Sequence, residues 1–535
     1  MLYLFTFFWF VRTTKSILFW IYLWQLKEYH IGRFIDYFRT EKGKKAVINW
    51  LFLVKLLVFI GLVGVFNKPG LGQDFLIYFI FVIFFAESAF AVKRIIQKTL
   101  KAPILTKKTS IILSAGISLE LLVLSFLFGF NPLFSQFVKI LLAIDILAPV
   151  FCSVLVLSFQ PLTVTLRDQI IRRAREKRER FKNLLVIGIT GSYGKTSVKE
   201  FLATVLSEKY KVLKTREHQN SEVGISQCLL YDLNEEHEIF VVEMGAYNKG
   251  GIKFLCDIVK PKIGIVTGVN EQHLATFGKM ENLLSAEGGG ELIESLSEDG
   301  LAILNYDNPI IRERKIEHYN PKLKNIKFYS MSGKETDLWA SDIKIEKESI
   351  SFRLSSKEGD QATFNLNFLG AHNIYNVLAA ACCAKSLGMT LEEIAKTCSK
   401  IERWQSGMQL KPGIDGLNII DATYSANPTG VISHLDYLKV WPGKKVIIMP
   451  CLIELGEASE SVHRRIGKKI GEVCDLAIIT TKDRFKEIAE GAGDKAIFLE
   501  NSKEIFEKIR DFCREGDVIL LESRMPDHFI EQLTP

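Results

Sequence analysis

The chain has 535 residues, enough for about three or four domains at ~150 residues each, with 48% hydrophobic residues, a mean hydropathy of +0.15 and a formal net charge of +7. Charged residues at 24% exclude a chain that is disordered throughout, and the mild positive balance, held largely in loops beside apolar segments, points away from nucleic acid as a partner. The nine Cys are scattered, with no CxxC and no His/Cys ligand spacing, which argues against a zinc site or disulfide framework and for reduced thiols in a cytosolic body.

The apolar excess is local, since well over half of the 37 Phe lie in the first 160 residues. A membrane-crossing helix needs about 20 mostly apolar residues, and 48–66, 75–92, 110–130 and 136–158 supply them. Residues 1–24 form a fifth apolar stretch, interrupted by Arg12 and Lys15, that either crosses or lies in the interface. It is too long and aromatic for a signal peptide. Basic segments at 25–47, 93–108 and 167–182 alternate with nearly uncharged loops. That asymmetry predicts about five spans, an outside N-terminus and a cytoplasmic remainder. Lys55, Glu87, Glu120 and Asp145 fall inside the apolar segments, where charges either serve a function or pair between helices. The basic run 167–182 reads as a bridging helix, an anionic-lipid contact or a solvated linker.

From Asn183 the pattern becomes strand, loop, helix. LLVIGIT (184–190) has buried-strand character, GSYGKTS (191–197) follows, and VKEFLATVLSEK (198–209) is amphipathic at helical spacing. A Gly-rich turn between a strand and a helix N-terminus wraps phosphates with backbone N–H groups, a lysine adds charge, and the next hydroxyl can ligate Mg²⁺. The candidates are Gly191, Ser192, Gly194, Lys195, Thr196 and Ser197, although Ile189 stands where the full consensus has its first Gly. Two further strands end in polar residues, HEIFVVEMGA at Glu243 and IGIVTGVNEQHLATFG at His273. Strand C-termini are where open α/β sheets bind ligands, though an exposed strand-end residue is the ordinary outcome.

Seven motifs in order then resemble one family, the Mur ligases. They are GSYGKTS (191–197), NSEVG (220–224), EMGA (243–246), NEQHLATFG (270–278), GAHNIYNVLAA (370–380), DATYSANP (421–428) and ELGEASESVH (454–463). The resemblance covers about 184–535. It implies an ATP-dependent, ADP-forming carboxylate–amine ligase of bacterial peptidoglycan synthesis, most similar to the branch that adds D-Ala-D-Ala to a muramoyl peptide through an acyl phosphate. By the same resemblance Lys195 is catalytic, Thr196 and Glu243 are Mg²⁺ ligands, and His273 holds a second metal. Asn373 and Asn376 contact adenine and ribose, Asp421 touches ribose or phosphate, and Asn220, Tyr424, Asn427 and His463 line the substrate side. Read without the family, Asn373 serves as a helix cap, Asp421 as turn chemistry, Tyr424-Asn427-Pro428 as a rigid loop and His463 as a helix-surface residue.

The chain departs from the family pattern in four places. A lysine, carbamylated in the family, is missing from SAEGGGELIESL (285–296), and Glu287 falls near its place, a direct source of negative charge for a second Mg²⁺. Gly407 stands where the family has a phosphate-binding arginine, with Arg403 nearby as a substitute. Cys451 replaces the usual acid in MPCLIELG and reads as a buried strand-end thiol, not a nucleophile. Apolar segments occupy the place of the UDP-binding domain, so the acceptor is either UDP-linked and held elsewhere or lipid-linked.

Strand–helix alternation through KKVIIMP (444–450), CDLAIIT (474–480), KAIFLE (495–500) and DVILLE (517–522) predicts a second parallel sheet, and 341–369 reads as an antiparallel insert. The expected organisation is a transmembrane region at 1–165, a basic linker helix at 166–183, a P-loop ATPase central domain at 184–404 and a Rossmann-like C-terminal domain at 405–535. The expected activity is a multi-pass enzyme of the bacterial cytoplasmic membrane that uses ATP and Mg²⁺ on the cytoplasmic side. Its expected partners are a muropeptide precursor, D-Ala-D-Ala or a related amine, membrane lipid and cell-wall synthesis enzymes. The competing readings are the same chemistry on a different, lipid-linked substrate, and a degenerate nucleotide-binding scaffold.

Overall fold

A computed structural model describes residues 1–27, 29–65, 68–97, 99–217, 219–313, 319–333, 335–424 and 426–534. The chain divides into two compact units, Met1–Leu166 and Arg167–Pro535.

The first unit is helical. Five helices are long and apolar enough to cross a membrane by length and composition, lying in Leu2–Leu26, Gly43–Gly64, Leu71–Ile96, Lys107–Phe130 and Phe134–Arg180. Their mutual contacts bury Phe5, Trp9, Phe84, Phe137 and Leu141, and the Trp9 indole N–H donates to the Leu141 carbonyl. Large apolar side chains such as Phe75, Leu122 and Phe126 remain exposed on the outer faces, an arrangement that water disfavours and hydrocarbon accepts. Arg12, which interrupts the first apolar stretch, meets Glu87 and Asp145, and Lys55 meets both as well. Interhelical pairing, the second of the two sequence readings, therefore accounts for three of the four charges inside the apolar segments. Glu120 instead accepts a hydrogen bond from the Thr14 hydroxyl.

The second unit is built on two sheets. The larger has nine strands: β1 (Leu185–Thr190), β2 (Val212–Lys214), β3 (Ile239–Glu243), β4 (Ile263–Val266), β5 (Leu301–Asn305), β6 (Asn325–Ser330), β7 (Leu338–Ile345), β8 (Ile350–Ser356) and β9 (Gln361–Leu366). Their order is β2-β3-β1-β4-β5-β6-β7-β8-β9, with β2 to β7 joined by parallel pairings and β8 and β9 antiparallel. The antiparallel strands expected at 341–369 thus extend the edge of the main sheet within the central domain. Their alternating buried and exposed residues fit a surface covered on one face only. The central strands, by contrast, are buried throughout and carry helices on both faces.

The smaller sheet contains β10 (Gln409–Pro412), β11 (Asn418–Ala422), β12 (Lys445–Met449), β13 (Leu476–Ile479), β14 (Ala496–Phe498) and β15 (Val518–Glu522), in the order β10-β11-β15-β12-β13-β14. Only β10 is antiparallel. The basic run before β1 is helical but not a solvated linker. Ile171 and Ala174 enter the core, the Lys177 ammonium donates to the carbonyls of Leu230 and Leu233, and Arg178 Nε donates to that of Val259.

Candidate active site

The parallel register of the nine-stranded sheet assembles the site. Ile189 lies opposite Glu243, and Thr190 opposite Val266, so the turn after β1, the carboxylate ending β3 and the loop after β4 emerge at one edge. That edge is the C-terminal end of the strands, where such sheets bind ligands.

The turn 191–194 depends on two glycines with positive φ, Gly191 at +145° and Gly194 at +75°. A β-carbon at Gly191 would collide with the Thr267 hydroxyl, and one at Gly194 would come within 2.7 Å of Asn376 Oδ1. Gly194 also provides the N-cap of the helix Lys195–Leu206, which has no side-chain cap. Backbone N–H groups at such a terminus are open to an anion. A loop that only glycine can adopt, leading into an uncapped helix N-terminus, fits the phosphates of a nucleotide.

Lys195, Ser192, His273 and Glu287 converge beside this turn. Glu287 Oε1 lies 3.0 Å from His273 Nδ1, Ser192 Oγ donates to Glu287 Oε2 at 3.1 Å, and Lys195 Nζ is 3.9 Å from Glu287 Oε1. The Glu287 side chain is 2% exposed. Burial works against its ionisation, yet the charges of His273 and Lys195 and the hydrogen bonds from His273 and Ser192 outweigh it and hold this carboxyl below the usual range. His273 Nε2 faces Glu454 Oε2 at 3.8 Å. Both His273 (φ +66°) and Glu454 (φ +65°) adopt a left-handed backbone conformation that is uncommon for residues with a β-carbon and concentrates at functional positions.

Glu243, wholly inside the sheet edge, receives a hydrogen bond from Asn220 Nδ2 at 3.1 Å and lies 3.5 Å from the fully buried Lys199 ammonium, which is also 3.2 Å from Glu200. Asn220 thus orients Glu243. No three His, Cys, Asp or Glu side chains among the described residues form a ready metal cage. The oxygen donors present, the Glu243 carboxylate and the Thr196 hydroxyl, suit a Mg²⁺ ion that takes few protein ligands and completes its shell with phosphate and water.

The smaller-sheet domain reaches the same edge. The Tyr424 hydroxyl is hydrogen-bonded to Glu217 and Thr196, and burial together with the nearby charges of Glu217 and Glu243 pushes it up to about 12. Asn270 Nδ2 donates to Asn427 Oδ1 at 2.9 Å and to Thr429 Oγ1 at 3.0 Å. Arg465 pairs with Glu271 through two contacts of 3.0 and 3.1 Å. Asp421 is engaged by Lys411 at 2.6 Å and by Thr423. Although burial opposes it, these partners hold its carboxyl below the usual range. Ser197 lies in the first turn of the loop's helix.

Three sequence expectations give way. His463 is fully buried, its Nε2 accepts from the Leu452 N–H at 2.9 Å, and its Nδ1 contacts the Ser459 carbonyl. It therefore anchors the 451–459 loop and presents neither nitrogen to a substrate. Asn373 is also fully buried, with its Nδ2 donating to the Leu369 carbonyl and its Oδ1 accepting from Asn376 Nδ2. It braces Asn376, which alone of the pair faces the Gly194 turn, and it is not the cap of its helix, a position held by Ala371. Arg403 pairs with Glu348 at 2.9 Å on the exposed side of the domain, so it does not replace the missing arginine. Cys451 is buried, and burial raises its thiol pKa, as a structural thiol requires. Lys199 and Glu454 went unrecognised because a lysine inside an amphipathic helix and a glutamate in a loop carry no spacing signal of their own.

The chain resembles known proteins over this second unit. The Mur ligase middle domain matches residues 189–384, and the Mur ligase glutamate ligase domain matches 408–524. A UDP-N-acetylmuramoyl-tripeptide--D-alanyl-D-alanine ligase of Bacillus subtilis is 29% identical over 345 residues, covering 63% of this chain and 72% of the relative. The enzyme of that name from Buchnera aphidicola subsp. Acyrthosiphon pisum is 30% identical over 342 residues, covering 63% and 72%. Among solved structures, MurF from Acinetobacter baumannii superposes with a TM-score of 0.62 at 27% identity, covering 69% of this chain and 80% of that one. MurF from Thermotoga maritima, in complex with ADP, gives 0.59 at 26% identity, covering 68% and 83%. The matched domains in sequence order and the shared fold make this chain a member of the Mur ligase family of ATP-dependent ligases.

Proposed function

We propose that this protein is a membrane-anchored ligase of peptidoglycan precursor synthesis that joins D-Ala-D-Ala to a muramoyl peptide at the expense of ATP. The observation that carries the reading is the convergence of Lys195, Ser192, His273 and Glu287 on a glycine turn, with Glu243 one strand away. A substrate carboxylate oxygen attacks the γ-phosphorus while the bond to ADP breaks, and the amine nitrogen then displaces phosphate from the acyl carbon and loses its proton. Transfer of this kind needs mainly positioning and charge neutralisation. The glycine turn and the N-terminus of Lys195–Leu206 cradle the phosphates, and Lys195 neutralises charge on the group transferred. Thr196 and Glu243 would hold Mg²⁺, which supplies further neutralisation when bound. Glu287 fixes the His273 ring through Nδ1 and leaves Nε2 directed toward Glu454, the arrangement of a ligand nitrogen oriented by a carboxylate.

Membrane anchoring is supported by the five long apolar helices and their exposed outer faces. The test is ADP release by the full chain with a muramoyl tripeptide, presented as a UDP-linked or a lipid-linked precursor, and D-Ala-D-Ala. Release that needs both an acid and an amine substrate supports the ligase. Nucleotide binding without turnover would instead support a scaffold.

A further inference from the structure

The charges that interrupt the apolar helices close into a ring within the Met1–Leu166 unit. Arg12 Nε lies 2.7 Å from Glu87 Oε1, Lys55 Nζ lies 2.5 Å from Glu87 Oε2 and 2.6 Å from Asp145 Oδ2, and Arg12 Nη2 comes 3.7 Å from Asp145 Oδ1. Four different helices supply the four side chains. Two cations and two carboxylates cancel, the condition on which buried charge is tolerated among apolar helices.

This ring lines a cavity of about 810 Å³, and the cavity is not itself balanced. Lys15 and Arg94 also line it, while among the described residues Glu87 and Asp145 are its only acidic ones. Lys15, half-buried one helical turn from Arg12, makes no ion pair or hydrogen bond with any described residue. Arg94 lies 5.2 Å from the centre of the Phe90 ring and has no carboxylate partner among the described residues. The other walls are largely apolar, among them Phe19, Trp20, Leu51, Val82 and Phe90. Arg94 in the last turn of Leu71–Ile96, and Asn49 and Trp50 at the start of Trp50–Ile60, place the cavity at helix ends that carry the basic segments, the cytoplasmic side by the positive-inside rule.

We propose that this cavity binds the phosphate-monoester headgroup of a membrane lipid, with the phosphate at Lys15 and Arg94 and the hydrocarbon chain along the apolar wall. A phosphate monoester carries a charge of about −1.5 to −2 near neutral pH, which matches two unpaired cations, whereas a zwitterionic headgroup leaves them uncompensated. Basic pockets between membrane helices on the cytoplasmic side recognise headgroups by the same physics. The inference rests on the membrane reading of the five helices and is independent of the ligase chemistry.

The test is native mass spectrometry of the full chain released from detergent, titrated separately with dioleoyl phosphatidic acid, dioleoyl phosphatidylcholine and inorganic phosphate. The expected result is one retained phosphatidic acid, bound at least tenfold more tightly than phosphatidylcholine and not displaced by millimolar inorganic phosphate. The Lys15→Gln/Arg94→Gln double variant, which leaves the charge ring intact, should lose at least tenfold in retention at unchanged Tm. Lys15→Arg should keep it, and Lys195→Ala should bind lipid as the parent does. Equal retention of the two lipids, an unaffected double variant, or displacement by inorganic phosphate would overturn the proposal. A chain that is soluble without detergent would overturn the membrane reading beneath it.

Discussion

Glu287 Oε1 lies 3.0 Å from His273 Nδ1 while the other oxygen of the same carboxylate accepts from Ser192 in the glycine turn. One buried acid thus links the loop after β1 to the loop after β4. By the family resemblance a lysine carbamylated to a carboxylate belongs near this place, and the role proposed for Glu287 is to supply that negative charge directly. Glu287→Gln keeps the shape and removes the charge, so turnover should fall about 100-fold, on the scale of removing one preorganised electrostatic group, with ADP binding little changed. Because its folded pKa is depressed, Glu287 contributes stability above the unfolded carboxyl pKa of about 4.3, and that contribution is lost as pH falls through the folded value. Parent and variant should therefore differ most in melting temperature near neutrality and converge in acid. Unchanged turnover would contradict the role given to this residue.

Gly194 is the sharper test of the phosphate turn. Gly194→Ala imposes a left-handed conformation on a residue with a β-carbon, costing roughly 1 kcal/mol, and brings that carbon to within 2.7 Å of Asn376 Oδ1. Calorimetry should show ATP affinity reduced by at least tenfold in a protein that still folds. Normal affinity would show that the turn does not wrap phosphates.

Lys199 is fully buried between Glu243 and Glu200. Lys199→Met removes the buried cation beside Glu243, while Lys214 still pairs with Glu200, a change expected to cost about 3 kcal/mol. Thermal melts should show Mg²⁺ with ADP restoring more stability to the variant than to the parent, since a divalent ion at Glu243 replaces part of the missing charge. Equal ligand-induced shifts would place the ion elsewhere.

His463 should behave as a structural residue. His463→Ala frees the Leu452 N–H and the 451–459 loop, for a loss of about 1–3 kcal/mol, with KM for the amine unchanged in the folded fraction. Burial lowers the imidazole pKa, so the unfolded chain takes up a proton more readily than the folded one. Stability from this group falls as pH drops below about 6.5, and the alanine variant should lose that part of the acid sensitivity. A selective rise in KM would return His463 to the substrate site.

Local patterns made much of this legible. The strand, glycine turn and helix were readable because glycines, lysine and amphipathic pattern follow one another within 26 residues, 184–209, and each has a periodic or steric signature. Glu287 was found only by its place relative to a family motif, since an acid in a glycine-rich stretch has no spacing of its own. His463 and Asn373 were misread for a common reason. Both are polar residues in motifs, and only packing reveals that their hydrogen-bonding groups are consumed by nearby backbone and a neighbouring Asn. Antiparallel strands at 341–369 were legible from their alternation, but alternation reports which face is buried, not which edge a strand joins, so their place at the edge of the main sheet was not. Arg12 looked like an interruption in an apolar run until two other helices supplied its partners, Glu87 and Asp145.

The most direct measurement is ADP release by the full-length protein in detergent, with D-Ala-D-Ala and either a UDP-linked or a lipid-linked muramoyl tripeptide, and with Lys195→Ala alongside. The account predicts ADP formation only when acid, amine and Mg·ATP are all present, with at least a 100-fold loss in Lys195→Ala. ADP formation independent of the amine, or an undiminished Lys195→Ala, would contradict it.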